Sequence, residues 1–124
     1  MTELTKSELI VMKSIWEMGD GVTKAEIERH IENRYHKGWR PTTVGTFLSR
    51  LKDKRYVEFV RNGRECSYRI LISEKEYQEF QMKEMFEFWG TRKVGDTLAS
   101  FFKEQGLEEE AAKKVKDLIN ELDF

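Results

Sequence analysis

Trp39-Arg-Pro-Thr-Thr-Val-Gly-Thr-Phe-Leu-Ser-Arg-Leu-Lys-Asp-Lys54 decides the fold, because it writes two different faces onto one helical period. Val44, Phe47, Leu48 and Leu51 fall at the i, i+3, i+4, i+7 spacing of a helix turned toward a core. The opposite side carries Thr42, Thr43, Thr46, Ser49 and Arg50. Short hydroxyls and a guanidinium are the groups that reach phosphates and base edges, whereas an ordinary solvated helix face is richer in Glu and Lys. Pro41 suits the first helical turn, where its missing N–H costs nothing.

The residues that follow extend this reading. Tyr56-Val-Glu-Phe-Val60 and Glu65-Cys-Ser-Tyr-Arg-Ile70 flank Arg61-Asn-Gly-Arg64. Asn-Gly is a strong hairpin signal, and a type I′ turn centred on Asn62-Gly63 is expected to set Arg61 and Arg64 side by side at the tip. A helix followed by a basic-tipped hairpin is the winged form of a helix-turn-helix. A small α+β domain with no nucleic-acid role fits the same residues.

Outward from this stretch, capping boxes mark further helices. Thr5-Lys-Ser-Glu8 opens a helix to about Met18, with Leu9, Met12, Ile15 and Trp16 inward and Gly19-Asp-Gly21 as its stop. Thr23-Lys-Ala-Glu26 opens another to about Asn33, with Ala25, Ile27 and Ile31 as candidate buried positions. Trp39 is expected to anchor the intervening loop on the core. This module should end near Ile72, giving a winged-helix domain over 1–72 and a helical domain over 73–124.

Ser73-Glu-Lys-Glu76 starts the second half, where Tyr77, Phe80, Met82, Met85, Phe86, Phe88 and Trp89 lie on several faces of one segment. Leu98, Phe101 and Phe102 form another cluster, and Ala111, Ala112, Val115, Leu118, Ile119 and Leu122 share a stripe. The whole reads as six helices and one hairpin, mainly α. Three short helices so rich in apolar surface predict a self-complementary dimer, with helices folded back on the first module as the alternative. Tyr77, Phe86, Trp89, Leu98, Phe101, Phe102, Val115, Leu118, Ile119 and Leu122 are the candidate dimerisation residues.

Charge supports the division. The chain of 124 residues has a net charge of −1, with 39% hydrophobic and 36% charged residues, the balance of a folded protein. From Arg34 to Arg69, however, ten basic residues oppose three acidic ones, while from Ser73 onward thirteen acids outnumber eight bases. Neutralising phosphate is a local task, so the basic stretch decides.

Other chemistries find little footing. No apolar run spans a membrane, and the first residues lack the order of a signal peptide. The single cysteine, Cys66, builds no disulfide framework and suits a reducing cytoplasm; a redox-sensing thiol is the lesser reading beside a small strand residue. His30 and His36 belong to no nucleophilic or metal-binding arrangement. Glu108, Glu109 and Glu110 lie where carboxylates complement a helix dipole. No glycine-rich phosphate loop occurs, so neither an enzyme nor a cofactor or metal is expected.

These residues resemble the penicillinase-repressor family, the BlaI/MecI/CopY group of winged-helix regulators. Leu4 to Trp16 is similar to the family's opening helix with its late Trp. Trp39 to Leu51 is similar to its W-S-P-x-T-[IV]-x-T-x-[LI]-x-R-L pattern, and Gly63 to Tyr68 to its wing. The resemblance implies a homodimer on a palindromic double-stranded operator, blocking transcription. By motif position it places Thr43, Thr46 and Arg50 in the major groove or on its phosphates, and Arg61 and Arg64 on the backbone. Thr42 and Gly45 stand where relatives carry longer polar residues, which thins the contacts of this helix.

The chain looks nearer the BlaI/MecI branch, where a sensor-linked protease cuts an Asn-Phe bond; the matching position here is Ser100-Phe101, which keeps only the Phe. The copper-responsive branch carries a C-terminal Cys-x-Cys pair that this tail lacks. Two rivals remain open: a winged-helix protein-interaction module, and a repressor gated by a small molecule among Tyr77, Phe86 and Trp89.

Overall fold

The computed structural model describes residues 1–122 and contains, in order, α1 (Lys6–Met18), α2 (Lys24–Tyr35), α3 (Pro41–Asp53), β1 (Val57–Asn62), β2 (Glu65–Ile70), α4 (Glu74–Trp89), α5 (Thr91–Glu104) and α6 (Glu109–Asn120). This is the mainly helical order with one hairpin that the sequence predicts. The chain divides into two compact units, Met1–Tyr77 and a second that begins at Gln78.

In the first unit both Thr capping boxes form, with Thr5 and Thr23 each accepting from the N–H of the Glu three residues on. α2 runs on to Tyr35, two residues past the expected end, and His36 closes it in the left-handed conformation at φ 50°. Val11, Met12, Ile15, Ile27, Ile31, Val44, Leu48 and Leu51 fill the space between the three helices. Leu9, Trp16 and Phe47 are only half-buried, and Ala25 is exposed, so the buried stripes are narrower than expected. Trp16 still has a structural role, its indole N–H donating to the Ile72 carbonyl at 2.9 Å.

The wing departs from the sequence reading in one respect. Asn62 pairs with Glu65, so the turn is Gly63-Arg64, one residue later than expected. Gly63 has φ 67°, whereas Asn62 and Arg64 have no positive φ. Such a loop needs glycine only at its first central position, the type II′ requirement, and the Asn contributes no left-handed backbone. Arg64 therefore occupies the turn while Arg61 stays in β1 opposite Cys66; the two are not neighbours at the tip. Val22 bridges to Tyr68, and the Asp20 carboxylate accepts from the Ile70 N–H at 2.6 Å, tying the wing to the loop after α1.

Tyr77, expected at a dimer surface, belongs instead to the core of the first unit. It is 1% exposed, its hydroxyl accepts from the Leu4 N–H at 3.0 Å, and its ring packs on Trp16 and Tyr56. The Tyr56 hydroxyl in turn donates to the Thr2 carbonyl. A ring so enclosed has no surface left for another chain.

In the second unit α5 lies against α6 through small residues, with Val94, Gly95, Ala99 and Ala112 buried. A Cβ on Gly95 would stand 3.5 Å from the Lys116 carbonyl, which shows how near the two backbones come. Lys116 pairs with Asp96 at 2.8 Å across the same contact. Among the described residues no helix is long and apolar enough to cross a membrane.

Candidate nucleic-acid interface

Helix α3 carries the candidate surface because its buried residues leave one side free. Val44, Leu48 and Leu51 are at most 2% exposed. Thr42, Thr46, Ser49 and Arg50 are exposed, and Thr43 is half-buried beside them. Arg61 and Arg64 are exposed on the wing. The Thr46 hydroxyl donates to the Thr42 carbonyl at 3.0 Å, so its proton is engaged while its lone pairs and methyl remain available.

Ion pairing separates the basic residues of the Arg34–Arg69 stretch into two sets. Arg34 pairs with Glu17 at 2.6 Å, Lys54 with Glu8 at 2.7 Å and Arg69 with Glu58 at 2.8 Å. Among the described residues, Lys37, Arg40, Arg50, Lys52, Arg55, Arg61 and Arg64 have no carboxylate partner. Those seven lie on the α2–α3 loop, on α3 and its end, and on the wing. Uncompensated cations next to hydroxyls make a surface that attracts polyanions.

The paired set holds the frame. The Glu17 carboxylate accepts from the Tyr35 hydroxyl at 2.8 Å, meets His30 Nε2 at 3.1 Å, and binds Arg34, joining α1 to α2. Burial pushes the Glu17 carboxyl up, but its hydrogen bonds with His30 and Tyr35 and the Arg34 charge bring it below the ordinary value. Gly45 leaves room for Lys24, whose Cε and Nζ would stand 3.4 and 3.6 Å from a Cβ there. Sequence reasoning did not anticipate that Lys24, from α2, lies over α3 in the space a longer residue at 45 would take.

The candidate dimerisation residues other than Tyr77 lie in the second unit, in varied settings. Trp89, Phe101, Leu118 and Leu122 are 59%, 51%, 64% and 42% exposed. Leu98, Phe102, Val115 and Ile119 are half-buried, and Phe86 is buried. Phe88, outside the candidate set, is the most exposed large apolar residue described, at 78%. Ser100 and Phe101 are exposed within α5.

A cavity of about 560 Å³ opens between Met85, Trp89, Val94 and Leu98. Of the three residues expected to surround a small molecule, Trp89 lines this cavity. Among the described residues no group of His, Cys, Asp and Glu is arranged to hold a metal ion.

Three packed helices, a two-stranded wing and an unpaired basic surface define a winged helix-turn-helix protein. The chain belongs to the penicillinase repressor family, whose model matches residues 4–121. It is 26% identical to an uncharacterized 16.5 kDa protein in the ptsI 3′ region of Latilactobacillus sakei, over 94% of this chain and 78% of that one. Its fold is similar to the solution structure of the DNA-binding domain of the repressor BlaI, with a TM-score of 0.52 and 29% identity over 60% of this chain and 88% of that one. It is equally similar, at TM-score 0.52 and 29% identity, to the monomeric form of Bacillus licheniformis BlaI in complex with the blaP half-operator. That match covers 61% of this chain and 89% of the BlaI chain.

Proposed function

We propose that this protein is a transcriptional repressor that binds a palindromic double-stranded operator as a homodimer in the reducing cytoplasm. The observation that carries the reading is the set of unpaired cations beside the exposed hydroxyls of α3. Its likeness to an operator-bound repressor supports the same reading. In it, Thr42, Thr43 and Thr46 meet thymine methyls or phosphates, and Arg50 reaches a guanine edge or the backbone. Arg61 and Arg64 contact phosphate from the wing. The exposed apolar residues of the second unit join the two protomers.

Fluorescence anisotropy on the duplex upstream of the protein's own gene, against a scrambled duplex and across a salt series, tests this. A preference of about a thousandfold or more is the expected result. Absence of binding even at low salt would return the protein-interaction reading to first place. Arg50→Ala should cost about 1–3 kcal/mol and relax the preference at one base position. Arg61→Ala and Arg64→Ala should weaken all sequences alike and flatten the salt dependence.

Relief of repression by a sensor-linked protease is part of the proposal, with the cut at Ser100-Phe101. Both residues are exposed, but their peptide bond lies within α5, so cleavage requires that turn to unwind. The cut would separate α6 and weaken the dimer. Mass spectrometry of protein from antibiotic-stressed cells should show the two fragments; a chain that always stays intact would exclude the step.

A further inference from the structure

Between α2 and α3 the chain folds back on itself through two left-handed residues, His36 at φ 50° and Gly38 at φ 64°. The Gly38 N–H donates to the Glu32 carboxylate at 2.8 Å, which fixes the bend. The bend sets the Trp39 ring on Phe47 of α3, with centroids 5.0 Å apart and planes tilted by 53°. Both rings are half-buried, each leaving part of its surface open.

A cation lies over each ring. The Arg50 guanidinium carbon is 5.9 Å from the Phe47 centroid, and Lys37 Nζ is 6.0 Å from the Trp39 centroid. Both distances are within the reach of a cation–π attraction. Neither Arg50 nor Lys37 has a carboxylate partner among the described residues, so no ion pair competes with the ring contact. Arg40 and Lys52, in the same region, have no such ring contact among the described residues.

An arginine that reads a base must present its planar fork in one orientation, whereas a lysine meets phosphate as a mobile point charge. A ring one helical turn away restricts the long side chain before DNA arrives, which lowers the entropy lost on binding. The geometry points to the Lys37–Trp39–Phe47–Arg50 row as a rail in which the two aromatics are positioning residues. They hold Arg50 for a base edge and Lys37 for a neighbouring phosphate. This rests on the DNA-binding reading and deepens it, adding Lys37 to the contacts and making Arg50 a reader of sequence.

The test compares the wild type with Trp39→Leu, Trp39→Phe and Lys37→Gln on upstream and scrambled duplexes. Trp39→Leu should lose about tenfold more affinity on the upstream duplex than on the scrambled one, and Trp39→Phe should restore most of the difference. Lys37→Gln, a surface change, should lower the slope of log Kd against log salt by about one on both duplexes. In the free protein, the NMR order parameter of the Arg50 Nε–Hε bond should fall in Trp39→Leu and recover in Trp39→Phe.

Equal loss on both duplexes for Trp39→Leu, with a lowered Tm, would make Trp39 a structural residue and overturn the rail. So would an Arg50 side chain as mobile in the wild type as in the variant. A wild type that prefers its upstream duplex while Trp39→Leu keeps that preference overturns the rail alone. A wild type that binds no duplex, with Arg50 ordered, overturns the DNA reading and the rail's role with it.

Discussion

Glu8 is 1% exposed in α1 and nevertheless charged. Its Oε1 accepts from the Thr5 N–H at 2.9 Å and from Lys54 Nζ at 2.7 Å. Burial raises its pKa, but the Lys54 ammonium and the bonds with Thr5 outweigh that, so the carboxyl titrates below its ordinary 4.5. A lowered folded pKa contributes stability that is present above the unfolded value and is lost as pH falls through the folded one. Glu8→Gln should therefore flatten the decline of stability below about pH 4.5. At neutral pH it should destabilise, toward the lower end of about 3–5 kcal/mol because Lys54 keeps some contact with water. Urea midpoints measured from pH 7 to pH 3 check both; parallel acid limbs in the two proteins would refute the assignment. The Thr5–Glu8 box is legible in the sequence because its partners stand three residues apart. Lys54 is not, because only the folded chain brings it to α1. The same limit explains why the unpaired cations could be counted as basic residues but not sorted from the paired ones.

At the scale of elements, α3 combines good packing with one weak position. Gly45 is helical without a positive φ, so alanine fits its backbone. The added Cβ would meet only the far end of Lys24, at ordinary contact distance. Gly45→Ala should thus stabilise by about 0.5–1 kcal/mol, the helix-propensity difference. A thermal melt should show the midpoint rise by a few degrees, about 4–8 °C per kcal/mol for a unit of this size. A lowered midpoint would mean that Lys24 cannot yield. Element order was legible because it rests on local signals: capping residues, Pro41, and apolar spacing. The wing turn was misplaced by one residue because Asn62-Gly63 and Gly63-Arg64 both satisfy a two-residue loop. Strand register, set by Val57 opposite Ile70, chose the second. Stripe width was overestimated at Phe47 for a related reason. Spacing alone cannot tell a core position from one half-covered by Trp39.

At the scale of the whole molecule, the second unit carries apolar surface that calls for a cover. Phe88, Trp89, Phe101, Leu118 and Leu122 are all at least 42% exposed, more large apolar surface than a short helical unit ordinarily leaves to water. A homodimer that buries it also supplies two winged helices, and a palindromic operator expects half-sites about one helical turn, or a multiple, apart. Leu118→Glu tests the link between these two requirements. Leu118 is 64% exposed in the single chain, so the charge should leave the helical circular dichroism unchanged. Placed within an apolar interface, the same charge would be desolvated without a partner and should drive the dimer apart. Sedimentation at micromolar concentration should then show a dimer for the wild type and a monomer for the variant. Binding to a two-half-site duplex should weaken by about 10²–10⁴, the loss of effective concentration when one half-site no longer helps the other. Binding to a single half-site should change little, because α3 and the wing are untouched. A variant that remains dimeric would remove Leu118 from the interface. A wild type that is monomeric and still binds the full operator tightly would remove the dimer from the mechanism.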